Sequence, residues 1–324
     1  MTENITNKSS QPTIWFTTSS LSSTNQWDHF LARVGFKRSE HRVKPGLYSI
    51  GNPVPESPVF VTANYTLSFD ALRSALVRID GYILVLDTQG VNVWCAAGKG
   101  TFGTDELVNR IEVTRLHEVV NHRRLILPQL GAPGVAAHEV KKRSNFKVEY
   151  GPVRADDLPV YLETRQATPE MRRVHFTLKD RLVLIPVELV AVLLPLLIVA
   201  LLGSKAAIAA IVAGAVLFPI LLPWIPTYNF SIKGFILGGI VALPFVITAF
   251  LKSPESALWL RSAWALVYAL LIPSITAFLT LNFTGSTTFT SRTGVRREIF
   301  TYVPAMAWMF GIGLALNIAL IFIR

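Results

Sequence analysis

Two regimes of hydrophobic patterning divide the chain near Arg181. Before it, short apolar runs alternate with charged and amphipathic stretches. Runs with β-branched residues predict strands at Val59–Thr62, Tyr82–Asp87, Arg124–Leu130 and Phe146–Tyr150. Helical spacing appears between them at Phe69–Val77, Thr104–Ile111 and Val135–Arg143, with a last short helix over Asp156–Glu163. Strands alternating with helices imply an α/β domain of Rossmann or flavodoxin-like type with a largely parallel sheet. Ligands of such sheets bind beyond the carboxyl ends of the strands. Those ends run into Thr62-Ala63-Asn64, Thr88-Gln89-Gly90, Gly131-Ala132-Pro133-Gly134 and Gly151-Pro152. Gly and Pro there shape turns and let backbone approach a ligand.

After Arg181, long apolar segments alternate with short polar connectors. Crossing a bilayer as a helix takes about 20 mainly apolar residues. Five stretches qualify and predict an all-α transmembrane domain: Leu182–Leu202, Ala206–Trp224, Gly234–Leu251, Ala257–Leu281 and Val303–Ile323. Cations flank one side more heavily: Arg165, Arg172, Arg173, Lys179 and Arg181, then Lys233, then Arg292, Arg296 and Arg297. The other side has Lys205, Lys252 and Arg324. Positive charge marks the cytoplasmic side, so the expectation is a multi-pass inner-membrane protein with its N-terminal domain in the cytoplasm and its C-terminus outside. Glu188 and Arg261 are the intramembrane charges, and five helices give no pairing into matched halves. Anchoring and partner docking are therefore expected ahead of transport. The loop Asn282–Arg297 reads either as a polar connector or as a surface that meets the soluble domain, its cofactor or a partner.

The map is an N-terminal extension (1–40), an α/β domain (41–165), a basic linker (166–181) and the transmembrane domain (182–324). Met1–Gln11 carry no apolar run, so no secretory signal is expected. The 324 residues hold 31 Lys and Arg against 21 Asp and Glu, a formal net charge of +10. Much of the excess flanks apolar segments, where the positive-inside rule accounts for it, and nucleic acid is not an expected partner. The single cysteine, Cys95, excludes an internal disulfide and an iron–sulfur cluster held by this chain alone.

Generic motifs carry little. Gly98-Lys99-Gly100-Thr101-Phe102-Gly103 matches GxGxxG, but a dinucleotide fingerprint starts directly after a strand. Here a helical turn at Asn92–Ala97 intervenes. His117 and His122 flank Glu118 one residue too far apart for a zinc protease helix, which turns the second ring away by about 140°. His138-Glu139 has no second His nearby. What remains is Val91-Asn92-Val93-Trp94-Cys95-Ala96-Ala97-Gly98-Lys99-Gly100. Cys95 sits at a strand-to-helix passage on the ligand rim, small residues follow it, and Lys99 one turn on is a candidate to hold it as thiolate.

The segment Asn92–Lys99 resembles the cap-helix motif of the mercury-methylating corrinoid proteins (the HgcA family). The stretch from about Val59 to Leu162 is also similar to the corrinoid domain of the corrinoid iron–sulfur protein, which lacks the Cys-bearing cap. The resemblance implies a cobalt-containing, cobalamin-type corrinoid beneath which the cap helix lies, with Cys95 as cobalt ligand and catalytic residue. Val91, Asn92, Val93, Trp94, Ala96, Ala97, Gly98 and Lys99 then form the cap. Strand-end position and the resemblance together make Thr62, Asn64, Gly131 and Gly151 further cofactor contacts.

The implied activity is a corrinoid-dependent methyltransferase that passes a methyl group from methyl-cobalt to Hg(II), forming methylmercury. A soft thiolate opposite the methyl favours its departure as a carbanion equivalent, with homolytic transfer a rival route. The implied methyl source is a methyl-tetrahydrofolate-type donor, directly or through a methyltransferase. The implied electron source is a ferredoxin-like two-cluster iron–sulfur protein of HgcB type, and membrane lipid surrounds the anchor. Alternatives stay open: a membrane-anchored corrinoid methyl carrier for another acceptor, a redox sensor built on Cys95, and a nucleotide-dependent oxidoreductase.

Overall fold

The computed structural model describes residues 12–37, 40–251, 254–287 and 291–323. The polar start Met1–Gln11 and the connector cations Lys252 and Arg324 lie outside the described residues. The chain divides into two compact units, Met1–Val174 and His175–Arg324, with the boundary inside the expected basic linker.

The first unit is built on a six-stranded sheet: β1 (Ile14–Thr17), β2 (Gly46–Ile50), β3 (Val59–Ala63), β4 (Gly81–Leu86), β5 (Arg124–Leu127) and β6 (Lys147–Tyr150), in the order β1-β2-β4-β3-β5-β6. Strands β3, β4, β5 and β6 are parallel, whereas β2 runs antiparallel to β4 and carries β1 parallel to itself. The parallel strands reverse their order of growth between β3 and β5, the position at which flavodoxin-like sheets open a ligand crevice. The helices are α1 (Ser23–Val34), α2 (Thr66–Ala75), α3 (Val93–Lys99), α4 (Thr104–Val113), α5 (Leu116–Val119), α6 (Ala137–Ser144) and α7 (Leu158–Thr164).

Successive strand residues point to opposite faces. Val59, Val61 and Ala63 pack with Leu84 and Leu86 against Leu107, Val108 and Val140 of α4 and α6. Phe60, Ile83 and Val85 face Phe69 and Leu72 of α2, Leu76 directly after it, and Leu158 and Tyr161 of α7. Both faces are covered, which is why β3 and β4 read as continuous apolar runs rather than alternating ones.

The stretch expected to be an N-terminal extension adds an edge strand and a helix to this unit. Ser22 and Asn25 cap α1 reciprocally. The buried Asp70 carboxylate accepts from His29 Nε2 at 2.7 Å and Arg73 Nε at 2.6 Å. Arg73 also donates to the carbonyls of Thr18 and Ser20 at 2.6 and 2.7 Å. The buried charges are thus paired and hydrogen-bonded, the condition under which burial is tolerated, and they fasten α1 to α2.

The second unit is all helical: α8 (Leu178–Leu182), α9 (Ile185–Ala191), α10 (Leu193–Leu201), α11 (Lys205–Val212), a π-helical turn (Ala213–Leu217), α12 (Phe218–Leu221), α13 (Phe230–Leu251), α14 (Leu258–Asn282) and α15 (Arg292–Phe322). Among the described residues, three helices are long and apolar enough to cross a membrane, or four if one bent pair is a single span, against the five expected. The bent pair, Leu178–Ala191 with Leu193–Leu201, turns by 60°. Pro195 has no N–H to offer the carbonyl of Ala191 four residues back, which breaks the ladder at the bend. The second expected span is a shorter apolar helix, Lys205–Leu221, followed by Pro223 and Pro226.

Helices α13 and α14 pack at backbone distance. A Cβ on Gly234 would lie 2.5 Å from Ala277 Cα, and one on Gly238 2.6 Å from Pro273 Cα. This is the small-xxx-small packing of membrane helices. Thr280 Oγ1 donates across the pair to the Phe230 carbonyl at 3.0 Å. Glu298 of α15 accepts from the N–H groups of Phe230 and Ser231, at 3.2 and 2.9 Å, at the start of α13.

Candidate functional site

The four parallel strands end on one rim, and the loop after β4 is held there by its neighbour. Asn64, directly after β3, is 2% exposed. Its Oδ1 accepts from the N–H groups of Thr88 and Gly90, both at 3.0 Å, and its Nδ2 donates to Asp87 Oδ1 at 3.1 Å. The Thr88 hydroxyl lies 2.9 Å from Asn64 Oδ1 and 2.7 Å from the Val91 carbonyl. Gln89 and Gly90 take the left-handed conformation, with φ of 58° and 73°. From the other side, Glu106 of α4 accepts from the Asp87 N–H at 2.8 Å.

This loop delivers the chain to α3. Asn92 is its N-cap in extended geometry, and its Oδ1 accepts from the Cys95 N–H at 2.9 Å, a role for which Asn is among the preferred residues. The helix ends on Gly100 at φ 86°, the left-handed cap that glycine adopts without penalty. Val93, Ala96 and Ala97 are buried in the core, Val91, Asn92, Trp94 and Cys95 are half-buried, and Gly98 and Lys99 are exposed. Cys95 is a free thiol.

The small residues serve different purposes. A Cβ on Gly134 would lie 2.9 Å from Ala97 Cα and 2.1 Å from the Phe102 carbonyl, so Gly134 lets α3 sit on the loop after β5. A Cβ on Gly131 would lie 2.5 Å from the buried Phe102 ring. Gly98 and Gly100 have nothing within 4 Å of such a Cβ and face open space. The compactness of Gly131, Gly134 and Ala97 is therefore used in seating the helix, while the outer surface at Gly98 and Gly100 is where room for a bulky group exists.

Of the residues singled out by sequence, the structure brings Asn64 to the cap through the Thr88–Gly90 loop, and Gly131 to it through Phe102. Thr62 is buried within β3. Gly151 follows β6 at the edge of the rim, with Ile126 Cγ2 3.2 Å from its added Cβ. Phe102, Gly134 and Glu106 were not expected as site residues. Gly134 carried a signal in the Gly-Ala-Pro-Gly turn, whereas Phe102 and Glu106 matter through contacts distant in sequence. Burial pushes the Tyr150 phenol up, and its OH donates to the Val135 carbonyl at 2.6 Å, fixing the same loop from β6.

Among the described residues no group of three or more His, Cys, Asp or Glu side chains is placed to hold a metal ion. The cap offers one soft donor, Cys95. That donor set fits a metal whose remaining positions are filled by its own macrocycle, and not a protein-caged ion, which takes several protein ligands.

Residues 37–160 match the family model CdhD, the CO dehydrogenase/acetyl-CoA synthase delta subunit. An Archaeoglobus fulgidus protein, acetyl-CoA decarbonylase/synthase complex subunit gamma, is 35% identical over 128 residues, covering 39% of this chain and 27% of that protein. Its Methanopyrus kandleri counterpart is 34% identical over 128 residues, with the same coverage. The corrinoid/iron-sulfur protein large subunit of Moorella thermoacetica is 27% identical over 129 residues, 39% of this chain and 28% of that protein. Over this stretch the first unit is similar to the corrinoid/iron-sulfur protein large subunit. The chain spans little more than a quarter of the length of these relatives. The family match encloses β2 to β6 and the whole cap segment, Val91–Gly100, and ends before the apolar helices of the second unit.

Proposed function

We propose that this chain is a membrane-anchored corrinoid protein that delivers a methyl group to Hg(II), and that Cys95 would be the residue holding the cobalt. The observation that carries the reading is a lone, half-buried thiol on a capped helix at the ligand rim of a corrinoid-protein relative.

A bound corrinoid supplies a cobalt that accepts a methyl group and gives it up. The chain's own residues prepare for it. Asn64 fixes the loop, Asn92 starts the helix, and Gly134 with Ala97 sets its depth, so that Cys95 is offered from a rigid element. The sulfur of Cys95 is a soft, electron-rich donor that would hold the cobalt of such a corrinoid. Lys99, exposed on the same helix, adds positive charge near the thiol. Val93 and Trp94 hold the helix against the domain, and the open surface at Gly98 admits the ring. Thr62, Asn64, Gly131 and Gly151 act in this reading chiefly by shaping the rim.

One cysteine holds no cluster, so the electrons that restore the carrier come from an iron–sulfur partner, ferredoxin-like and of HgcB type. The methyl comes from a methyl-tetrahydrofolate-type donor. The apolar helices anchor the unit in the inner membrane with the corrinoid unit in the cytoplasm, as the distribution of cations suggests. A second reading is a methyl carrier for another acceptor. It is favoured by relatives named as subunits of an acetyl-CoA decarbonylase/synthase complex.

The test is methylmercury formation from isotopically labelled Hg(II) by anaerobic membranes holding this chain, the ferredoxin-like partner, a methyl donor and a reductant. Product from wild type and none from Cys95→Ala is the expected result. No product despite bound, reduced corrinoid selects the carrier reading, and full activity in the variant sinks the ligand role of Cys95.

A further inference from the structure

The second unit contains a cavity of about 620 Å³, within the size range of small-molecule sites. It lies where helix ends gather: the start of α11 (Lys205, with its N-cap Ser204), the last turns of α13 (Thr248), the first turns of α14 (Arg261, Trp264, Tyr268) and the end of α15. Its apolar walls include Phe245 and Leu320.

Two of the lining side chains are cations and none is acidic. Among the described residues no carboxylate forms an ion pair with Lys205 or Arg261. The Arg261 guanidinium donates from Nη1 to the Phe250 carbonyl at 3.1 Å, and among the described residues its buried Nε has no partner. A carbonyl is a neutral partner and supplies no counter-charge to the guanidinium. Hydroxyls of Ser204 and Thr248 and the rings of Trp264 and Tyr268 complete a lining that joins cationic and polar groups to apolar walls. Intramembrane Arg and Lys mark binding sites by default, and basic pockets between membrane helices take lipid headgroups.

We infer that this cavity binds the phosphate ester of an anionic phospholipid, with Lys205 and Arg261 on the phosphate oxygens and the acyl chains along the apolar wall. The helix-end level of the cavity is the level at which headgroups lie, and Trp and Tyr are enriched there. The inference rests on placing the second unit in a bilayer, which resistance of the full chain to alkaline extraction from membranes tests separately.

The experiment reconstitutes the full chain in phosphatidylcholine nanodiscs with or without phosphatidylglycerol. It measures lipid retained after detergent extraction by native mass spectrometry, together with the thermal midpoint. Wild type should retain phosphatidylglycerol and melt higher with it. Arg261→Gln and Lys205→Gln should each weaken retention about tenfold, the loss of a charge-assisted contact, without lowering the midpoint in phosphatidylcholine alone. If Arg261→Gln misfolds, Lys205→Gln carries the test. Equal retention of both lipids, or unchanged retention in both variants, overturns the site. Stabilisation by inorganic phosphate or glycerol phosphate, with no preference between lipids, overturns the lipid assignment in favour of a soluble phosphate ester.

Discussion

Asn64→Ala isolates the device that sets the position of the cap helix. In the wild type the Asn64 carboxamide oxygen satisfies two buried backbone donors, the N–H groups of Thr88 and Gly90 at 3.0 Å each, and shares the Thr88 hydroxyl. Alanine leaves those donors without an acceptor, and each unsatisfied buried group costs about 1–3 kcal/mol. Part of that cost is relieved as water enters the space vacated, so the expected loss is about 3 kcal/mol. Amide exchange at Thr88 and Gly90 should then accelerate about a hundredfold, since each 1.4 kcal/mol or so is tenfold. Asn64→Asp should fall between: it keeps the acceptor but sets a second carboxylate where Nδ2 now donates to Asp87 at 3.1 Å. The assay is hydrogen exchange of the full chain read by mass spectrometry over the loop, with denaturant unfolding beside it. A stability change below about 0.5 kcal/mol with unchanged exchange would refute the clamp.

Gly134→Ala drives a Cβ into the Phe102 carbonyl and Ala97, and should cost about 1–3 kcal/mol by thermal unfolding. Gly98→Ala, with nothing within 4 Å, should instead gain about 0.5–1 kcal/mol. Burial works against a charge on His41, but the Phe36 carbonyl and the Asp28 carboxylate outweigh it and raise its pKa above 6.5. The protonated ring therefore stabilises the first unit fully below pH 6.5, and that contribution disappears as pH rises through the raised value. Asp28→Asn should flatten this slope in unfolding curves taken across that window. Gly234→Leu cannot keep the α13–α14 approach and should lower the midpoint of the second unit in detergent by several degrees.

The centre of the parallel sheet was legible because β3 and β4 are buried on both faces and their apolar runs stand out from the polar turns between them. Helix α3 was legible as the helical turn at Asn92–Ala97, since the Asn92 side chain caps it locally. Strand β1 was not, since Ile14–Thr17 is a four-residue edge strand with only alternating partial burial. Helix α1 was missed for a related reason: it is held by the nonlocal Asp70–Arg73–His29 cluster rather than by a strong apolar stripe. The role of Asn64 depends on β3 and β4 being neighbours, which places position 64 beside position 88. Apolar length located the helical half of the chain but does not register where a helix breaks: the first expected span bends at Pro195, and the second is the shorter helix Lys205–Leu221.

X-ray absorption at the cobalt edge of the corrinoid-loaded full chain tests the central claim most directly. The account predicts one sulfur scatterer bound to cobalt in wild type, absent from Cys95→Ala loaded to the same level. Because Cys95 is the only cysteine in the chain, a thiolate scatterer that persists in the variant, or none in the wild type, would contradict it.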